Sequence, residues 1–263
     1  MAVDWSGAKD GAATKIWTAV VRDGRLAALE NGRDREQVCR FLLDLAAKDP
    51  ETAVGLDFAF SLPAWFLLER GLAWAPDLWE LARDEGESWL AGCAPPFWGR
   101  GRTRRPILPA HYRWTDRRIK VGGISPKSVF QIGGAGAVGT GSVRGWPCLK
   151  ALREGGFKVW PFDAAALPVA FEMYPRLLTG PVVKSSAQAR AAYLGRRLPL
   201  LPPEHLAKAT GSEDAFDAAV AAMAMYAFRE ELRALPPVTD KLLLMEGVIW
   251  EPGNPPHPGR AAS

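Results

Sequence analysis

The fold is decided by residues 2–60, which read AVDWSGAKDGAATKIWTAVVRDGRLAALENGRDREQVCRFLLDLAAKDPETAVGLDFAF. Three runs of strand length, AVDWSGA, KIWTAVV and RLAALEN, are joined by turns rich in glycine and aspartate. Residues 34–49 carry apolar side chains at helical spacing. The run TAVGLDFAF is continuously apolar, which suits a strand buried on both faces. This order predicts a hairpin meander, a helix and a strand parallel to the first, as in an α/β protein with a mixed sheet flanked by helices.

The composition excludes several classes of protein. Hydrophobic residues make up 48% of the 263, which is enough for a sizeable core and excludes a disordered chain. The first residues lack the apolar core of a secretory signal, and the apolar run at 218–228 is shorter than the roughly 20 residues that a spanning helix needs. We therefore expect a cytoplasmic protein without a membrane partner. The net charge of +4 does not identify a partner, and the oligomeric state stays open.

The cysteines argue against disulfides. Cys39, Cys93 and Cys148 are odd in number, widely separated and without paired spacing. This pattern predicts three reduced thiols, with neither a disulfide nor a zinc site.

Residues 61–127 interrupt the alternation of helices and strands. This 61–127 segment holds six of the eleven tryptophans, an acidic helical stretch (PDLWELARDEGESWLAG) and a basic loop (GRGRTRRPILPAHYRWTDRRIK). Few regular apolar stripes run through it, so we interpret it as a Trp- and Arg-rich insertion. The prediction is one domain over 1–251 with a loose tail over 252–263.

The alternation resumes after residue 126. KSVFQI is strand-like, IGGAGAVGTGS predicts a flexible loop and VRGWPCLKALREGG predicts a helix closed by glycine. KVWPFD and PVAFEMYP are two further strand candidates, and residues 182–209 are helical in pattern. A last clear helix is expected from about Ser212, which can cap it.

Five acidic residues form a candidate metal site. Asp4 lies in the first strand, Asp57 ends the buried run VGLD, and Glu172 follows PVAF. Asp214 and Asp217 are three apart on the last helix and therefore share a face. Each has an ordinary alternative: a turn for Asp4, a cap or turn for Asp57, an ion pair with Arg176 for Glu172, and helix-dipole partners for the last two.

Bound cations would explain these acids, because buried unpaired charge is costly. Mg²⁺ and Mn²⁺ prefer carboxylate oxygens, and two such ions roughly 4 Å apart can activate a water and stabilise a leaving oxygen. The set predicts two ions, with Asp4, Asp57, Asp214 and Asp217 as catalytic ligands and Glu172 as a fifth.

Four motifs, in order, carry a family resemblance: VDWSGAK, VGLDFAFSLP, EMYPR and SEDAFDAAVAAMAM. They resemble the signatures of DUF429, an uncharacterised family described as predicted nucleases, over roughly residues 2–250. PKSVFQIGGAGAVGTGS resembles a subgroup of that family. The resemblance implies a ribonuclease H-like fold and a metal site at the acids named above.

Nine basic residues lie between 100 and 127, with Tyr112 and Trp114 interleaved. Such a segment can neutralise phosphates and stack on bases. An alternative is a solvated loop, or a partner of the acidic helix before it. The residues that we expect to contact nucleic acid are Arg102, Arg104, Arg105, Arg117, Arg118 and Lys120.

The glycine loop contains a G-x-G-x-x-G match at Gly134, Gly136 and Gly139, with Asp163 beyond the next strand. This imitates a dinucleotide fingerprint, which requires a strand before the loop and a helix directly after it. A loop facing the substrate, or a structural loop, is the favoured alternative.

Together the patterns predict a hydrolase, a metal-dependent nuclease or phosphodiesterase acting on nucleic acid by a two-metal carboxylate mechanism. One alternative is a non-catalytic nucleic-acid-binding module of the same fold. Another is a nucleotide-binding phosphotransferase of the actin and sugar-kinase type, in which DWSGAKDG would be a phosphate hairpin. That class needs two such domains, which 263 residues do not readily supply.

Overall fold

A computed structural model of the chain describes residues 1–101, 108–254 and 256. Its centre is a six-stranded sheet in the order β3-β2-β1-β4-β6-β5. The strands are β1 (Ala2–Asp4), β2 (Trp17–Arg22), β3 (Arg25–Glu30), β4 (Ala53–Leu56), β5 (Lys158–Trp160) and β6 (Val169–Glu172).

The sheet is mixed, as the sequence predicts. β1, β2 and β3 form an antiparallel meander, and β1 pairs with β4 in parallel. β4 also pairs in parallel with β6, and β6 with β5. The strands predicted from KVWPFD and PVAFEMYP are confirmed as β5 and β6.

Helices flank the sheet. They are α1 (Arg35–Lys48), α2 (Ala64–Leu68), α3 (Ala75–Gly92), α4 (Trp114–Arg118), α5 (Val138–Glu154), α6 (Pro175–Thr179), α7 (Ala187–Arg197), α8 (Pro203–Gly211), α9 (Glu213–Ala227), α10 (Arg229–Arg233) and α11 (Lys241–Glu246). Asp34 begins α1 with a reciprocal capping box, its carboxylate accepting from the amide of Gln37 at 2.8 Å. No helix among the described residues is long and apolar enough to cross a membrane.

The two faces of the sheet have separate cores because side chains alternate along a strand. Val3 and Leu56 point to the face covered by α1 and α5. Ala2 and Phe171 point to the opposite face, where α9 packs against β1, β2 and β3. The same alternation fixes the face on which each acid at a strand end lies.

The 61–127 segment contains α2, α3 and α4, and its predicted acidic helix is confirmed as α3. Its aromatic residues join the core on the α1 and α5 face of the sheet, among them Phe66, Trp79 and Phe97. Trp79 donates its indole N–H to the carbonyl of Phe60 at 2.8 Å. The segment is therefore built into the core of the chain.

The prediction of a strand at KSVFQI is wrong. In this stretch only a single bridge forms, between Trp98 and Gln131, and no residue of it joins the sheet. The helix after it begins at Val138, five residues earlier than predicted, so VGTGS is helical and not a flexible loop. The glycine at 139, which suggested a flexible loop, serves close packing instead, because a Cβ there would lie 2.0 Å from the carbonyl oxygen of Val129.

Two further predictions are confirmed, and a third lies mostly outside the described residues. The helical region at 182–209 is confirmed as α7 and α8. Ser212 caps α9, its hydroxyl accepting from the amide of Ala215 at 3.2 Å. α10 and α11, beyond the last predicted helix, are additional. Most of the predicted loose tail lies outside the described residues.

A buried ion-pair network joins the 61–127 segment to the sheet. Arg113 contacts Asp116 at 2.8 Å and Glu172 at 2.6 Å, and side chains of all three are 3% exposed or less. Its guanidinium also donates to the carbonyl of Glu246 in α11 at 3.2 Å. Glu172 in turn accepts from the amide of Phe60 at 2.9 Å. One side chain thus connects α4, β6 and α11.

Replacing Arg113 by Met should lower the free energy of unfolding by about 3–5 kcal/mol, because it leaves two buried carboxylates without a cation. The matched control is Arg118→Met, which breaks a pair with Glu251 whose side chains are 25% and 26% exposed. That change should cost no more than about 1 kcal/mol. Urea denaturation measures both values, and equal losses would contradict a structural role for the network.

Candidate functional site

Asp4 and Asp57 lie side by side at the carboxyl ends of adjacent parallel strands. Val3 pairs with Leu56, and the amide of Asp57 donates to the carbonyl of Val3 at 3.0 Å. Because Val3 and Leu56 face the α1 and α5 side, the two aspartates that follow them face α9. Asp4 is 7% exposed, and Asp57 is partly buried.

Helix α9 brings a third carboxylate to this pair. α9 packs on β1 with Asp217 turned to the sheet, where its exposed fraction is 6%. The buried face continues through Ala221 and Met225, whereas Phe228, which the sequence placed on the same stripe, is 39% exposed. Asp214, one turn earlier than Asp217, is only partly buried and lies at the rim.

Burial and mutual repulsion raise the pKa values of these acids. Burial, followed by repulsion from Asp57, Asp217 and Asp214, raises the pKa of Asp4 well above its usual range. Burial and the carboxylates around it raise the pKa of Asp57 to about 8. Burial raises the pKa of Asp217 to about 6, and Lys184 opposes that rise. The structure therefore brings four of the predicted acids into one electrostatic cluster.

Two cations at this cluster were not predicted as site residues. The ammonium of Lys184, between α6 and α7, forms an ion pair with Oδ2 of Asp217. Arg176, at the start of α6, is close enough to Asp217 to oppose the rise of its pKa. Arg176 belongs to the EMYPR motif, and its position just after a strand could have identified it as a site residue. Lys184 lies in PVVKSS, which has no pattern that indicates a site.

Glu172 is held apart from the other acids. It pairs in register with Leu56, so it faces the α1 and α5 side of the sheet, opposite to Asp57. Its carboxylate is bidentate to Arg113, with contacts of 2.8 and 2.6 Å. Burial raises the pKa of Glu172, and the guanidinium of Arg113 opposes that rise. Its role in the structure is the buried network, and its partner is Arg113 instead of the nearby arginine in EMYPR.

The cluster has oxygens without partners. Oδ1 of Asp217 is buried and has no hydrogen-bond partner in the part of the chain that the structure describes. Among the described residues, none forms a hydrogen bond with the carboxylate of Asp4 or Asp57. Buried carboxylates of this kind are costly unless a cation or a proton compensates them.

A divalent ion fits the donor type of this site. In the described part of the chain, no group of three or more histidines, cysteines and acids is placed to hold a metal ion. Mg²⁺, however, keeps several waters and is commonly bound through one or two carboxylates and the substrate's phosphates. Asp4 and Asp57 are adjacent and form no side-chain hydrogen bond with any described residue, so they can supply these two carboxylates.

A cleft of about 380 Å³ opens beside Asp57. Lys127, Gly136 and Tyr174 line it, and Glu172 and Arg113 also border it. One wall is fixed to α5, since the indole of Trp5 donates to the carbonyl of Gly141 at 3.1 Å. The loop after β1 touches α5 so closely that a Cβ on Gly7 would lie 2.4 Å from the amide nitrogen of Gly141.

The predicted nucleic-acid residues divide into three groups. Arg102, Arg104 and Arg105 lie outside the described residues. Arg117 and Lys120 are exposed, and Arg118 pairs with Glu251 at 3.0 Å.

None of the three described residues, Arg117, Arg118 and Lys120, lines the cleft at Asp57. From the same basic stretch, Lys127 does line it. Arg113, in the middle of the stretch, is buried in its ion pairs and is not available to a phosphate.

The glycine loop does not have the context of a dinucleotide fingerprint. A helix does follow the loop, beginning at Val138, but residues 127–132, which directly precede the loop, form no strand of the sheet. Gly139 is required by its contact with the backbone at Val129. Asp163, which would have to meet a ribose, is paired with Arg153 at 2.8 Å. The loop instead forms part of the cleft beside Asp57.

The three cysteines are free: Cys39 and Cys148 are buried, and Cys93 is partly exposed. No family model, no curated protein and no solved structure matches the chain. The resemblance to DUF429 therefore stays a prediction that depends on the four quoted motifs.

The stability of the metal-free protein should fall as the pH rises from about 5 to 8. The pKa of Asp57 is about 8 in the folded protein against an ordinary 3.8. The groups around it are Asp217, Lys184, Glu172 and Asp214. Over this range the folded protein retains a proton that the unfolded chain has lost. The resulting stability is greatest below the ordinary pKa and is lost as the pH rises through the folded pKa.

Chemical denaturation at each pH, in the presence of a chelator, measures this effect. Each such group contributes a slope of at most about 1.4 kcal/mol per pH unit. Asp57→Asn should flatten the profile, whereas Asp44→Asn, at an exposed position on α1, should leave it unchanged. A wild-type profile that rises towards pH 8 would contradict the raised pKa of Asp57 and, with it, the burial and repulsion that cause it.

Proposed function

We propose that this protein is a metal-dependent phosphodiesterase, a nuclease, that acts on nucleic acid at the cluster of Asp4, Asp57 and Asp217. The observation that carries the proposal is the pair of carboxylates at the ends of two adjacent parallel strands, with which no described residue forms a hydrogen bond. A third carboxylate with a buried, unpartnered oxygen lies against that pair. Such an accumulation of negative charge has a physical reason when it serves to bind a cation.

The proposal includes the finer assignment of the fold to the ribonuclease H-like class. The antiparallel meander, the following helix α1 and the parallel strand β4 support that assignment. The DUF429 motifs support it further, because VDWSGAK and VGLDFAFSLP contain the two strand-end acids, Asp4 and Asp57.

Asp4 and Asp57 would hold the ion, with Asp217 available through its unpartnered Oδ1. When bound, a divalent ion polarises a phosphoryl oxygen and lowers the pKa of a coordinated water. Asp214, at the rim, adds negative charge to the site without being buried in it. Glu172 positions the cleft wall through Arg113 and is not part of the proposed shell.

The cleft beside Asp57 would receive the substrate. Lys127 lies along it and can pair with a phosphate, and Tyr174 borders it next to the acids. Arg176, close to Asp217, offers a second positive group at the start of α6. A phosphodiester bound between these groups would have its scissile phosphate beside Asp57. Positive side chains around the cleft suit a polyanionic ligand. The metal ion would offset the repulsion between that ligand and the acidic cluster.

Asp4→Asn and Asp57→Asn should each reduce cleavage of a nucleic-acid substrate by about 1000-fold or more, equivalent to about 4 kcal/mol in the barrier. The double variant should lose little more than either single one, because residues that act as a unit are not additive. The control Asp44→Asn, the same chemical change at an exposed site, should retain the wild-type rate. Folding of each variant is checked by circular dichroism.

The assay uses single-stranded, duplex, hybrid and branched substrates with Mn²⁺ or Mg²⁺. Cleavage that persists in Asp4→Asn would show that another protein or another site is responsible. Absence of wild-type cleavage on every substrate, with binding retained, would favour the non-catalytic binding module.

Lys127→Gln should weaken nucleic-acid binding and reduce the slope of log affinity against log salt by about one, as expected for the loss of one phosphate contact. Lys158→Gln, exposed at the start of β5, is the control and should change neither. Reversal of Arg102, Arg104 and Arg105 to Glu tests the basic stretch itself and should flatten the salt dependence further. Filter binding over a series of salt concentrations measures both, and an unchanged slope in the triple variant would make that stretch a solvated loop.

A further inference from the structure

Lys184 is placed inside the acidic cluster by the fold. Its side chain is 18% exposed and that of Asp217, its partner, is 9% exposed. The ammonium also lowers the pKa values of Asp4, Asp57 and Asp214, so it lies within reach of all four acids. Among the described residues, it is the cation in direct contact with an acid of the cluster.

The position of Lys184 is held by a second buried cation. Arg190, on α7, is 5% exposed. It donates to the carbonyl of Lys184 and, at 2.9 and 2.6 Å, to the carbonyl of Thr210. Thr210 lies in the last turn of α8, directly before α9, which carries Asp217. One guanidinium thus fixes the loop that bears Lys184 relative to the helix that bears its partner, so the ion pair is a built part of the site.

The arrangement of the acids divides the cluster into two halves. On the strand side, Asp4 and Asp57 are adjacent, and no described residue forms a hydrogen bond with their carboxylates. On the helix side, Asp217 already has a cation on Oδ2, although its buried Oδ1 has no partner among the described residues. In the described part of the chain, one half therefore has no cation in direct contact, and the other half has Lys184.

Charge balance leads to the same division. Four carboxylates carry four negative charges, which two divalent ions alone would neutralise. With the ammonium of Lys184 in place, two divalent ions would leave the cluster with an excess positive charge in a buried site. One divalent ion and Lys184 together supply three positive charges, so that Arg176 nearby can supply the fourth.

We infer that Lys184 takes the place of a second metal ion, so that the protein binds one divalent ion at Asp4 and Asp57 and not the two that the sequence led us to expect. The inference depends on the proposed metal-binding function and specifies its stoichiometry. Lys184 is then a positioning residue, which supplies a fixed positive charge on the Asp217 side of the site.

The test is titration of the full-length, metal-free protein with Mn²⁺ alone. Isothermal titration calorimetry and the electron paramagnetic resonance signal of free Mn²⁺ give the number of bound ions and their affinity. Wild type should bind one ion. Lys184→Met, which frees both oxygens of Asp217, should bind two, and its first ion should bind about tenfold more tightly because a neighbouring positive charge is gone.

Two variants separate this role from a structural one. Lys184→Arg retains the charge and should keep a stoichiometry of one. Lys15→Met removes a lysine that is exposed and acts on Asp214 only from a distance, and should also keep one ion. A loss of folding would disturb metal binding in general and would not raise the stoichiometry from one to two.

The contradicting outcomes differ for the two proposals. Two ions in both wild type and Lys184→Met would overturn the inference and leave the proposed nuclease function intact. One ion in both, at equal affinity, would also overturn it, because Lys184 would then not compete with a cation. Absence of Mn²⁺ binding in every variant would overturn the metal site itself, and with it both the function and the inference.

Discussion

Strands β1 and β4 run side by side in parallel, with Val3 beside Leu56 and the amide of Asp57 donating to the carbonyl of Val3. This register puts two carboxylates next to each other on one face of the sheet. A shift by one residue would turn one of them into the apolar core on the other face. β1 is only three residues long, so a small number of backbone hydrogen bonds determines whether the acidic pair exists.

The negative charge of Asp4 and Asp57 bears on the elements that pack over them, helix α9 and the loop of Lys184. Helix α9 packs on β1 through small residues such as Ala221, which bring the helix close to the sheet and Asp217 close to Asp4. The repulsion is partly offset by Lys184, whose loop is tied through Arg190 to the last turn of α8, just before α9. The strand register thus places two negative charges side by side, and the packing of α9 adds Asp217 to them. The anchored loop supplies the positive charge of Lys184, which partly offsets their repulsion.

Local signals were sufficient for much of this arrangement. The meander, α1, β4 and α9 follow from alternation, helical spacing and a capping serine, all of which are properties of neighbouring residues. The acids at strand ends and the pair on one helical face could likewise be read from position. KSVFQI could not be assigned correctly, because its β-type composition serves packing against Gly139 and a single bridge to Trp98. The position of Glu172 depends on the register of β4 with β6, and the position of Lys184 depends on the path of a loop. Neither can be predicted from a local sequence pattern.

Arg113 makes the 61–127 segment inseparable from the sheet. It is the counter-ion of Glu172 in β6 and donates to the carbonyl of Glu246 in α11. Deletion of the segment would leave the carboxylate of Glu172 inside the protein without this cation. A shortened chain prepared for crystallisation or expression would therefore have to replace Glu172 at the same time by an apolar residue of similar volume.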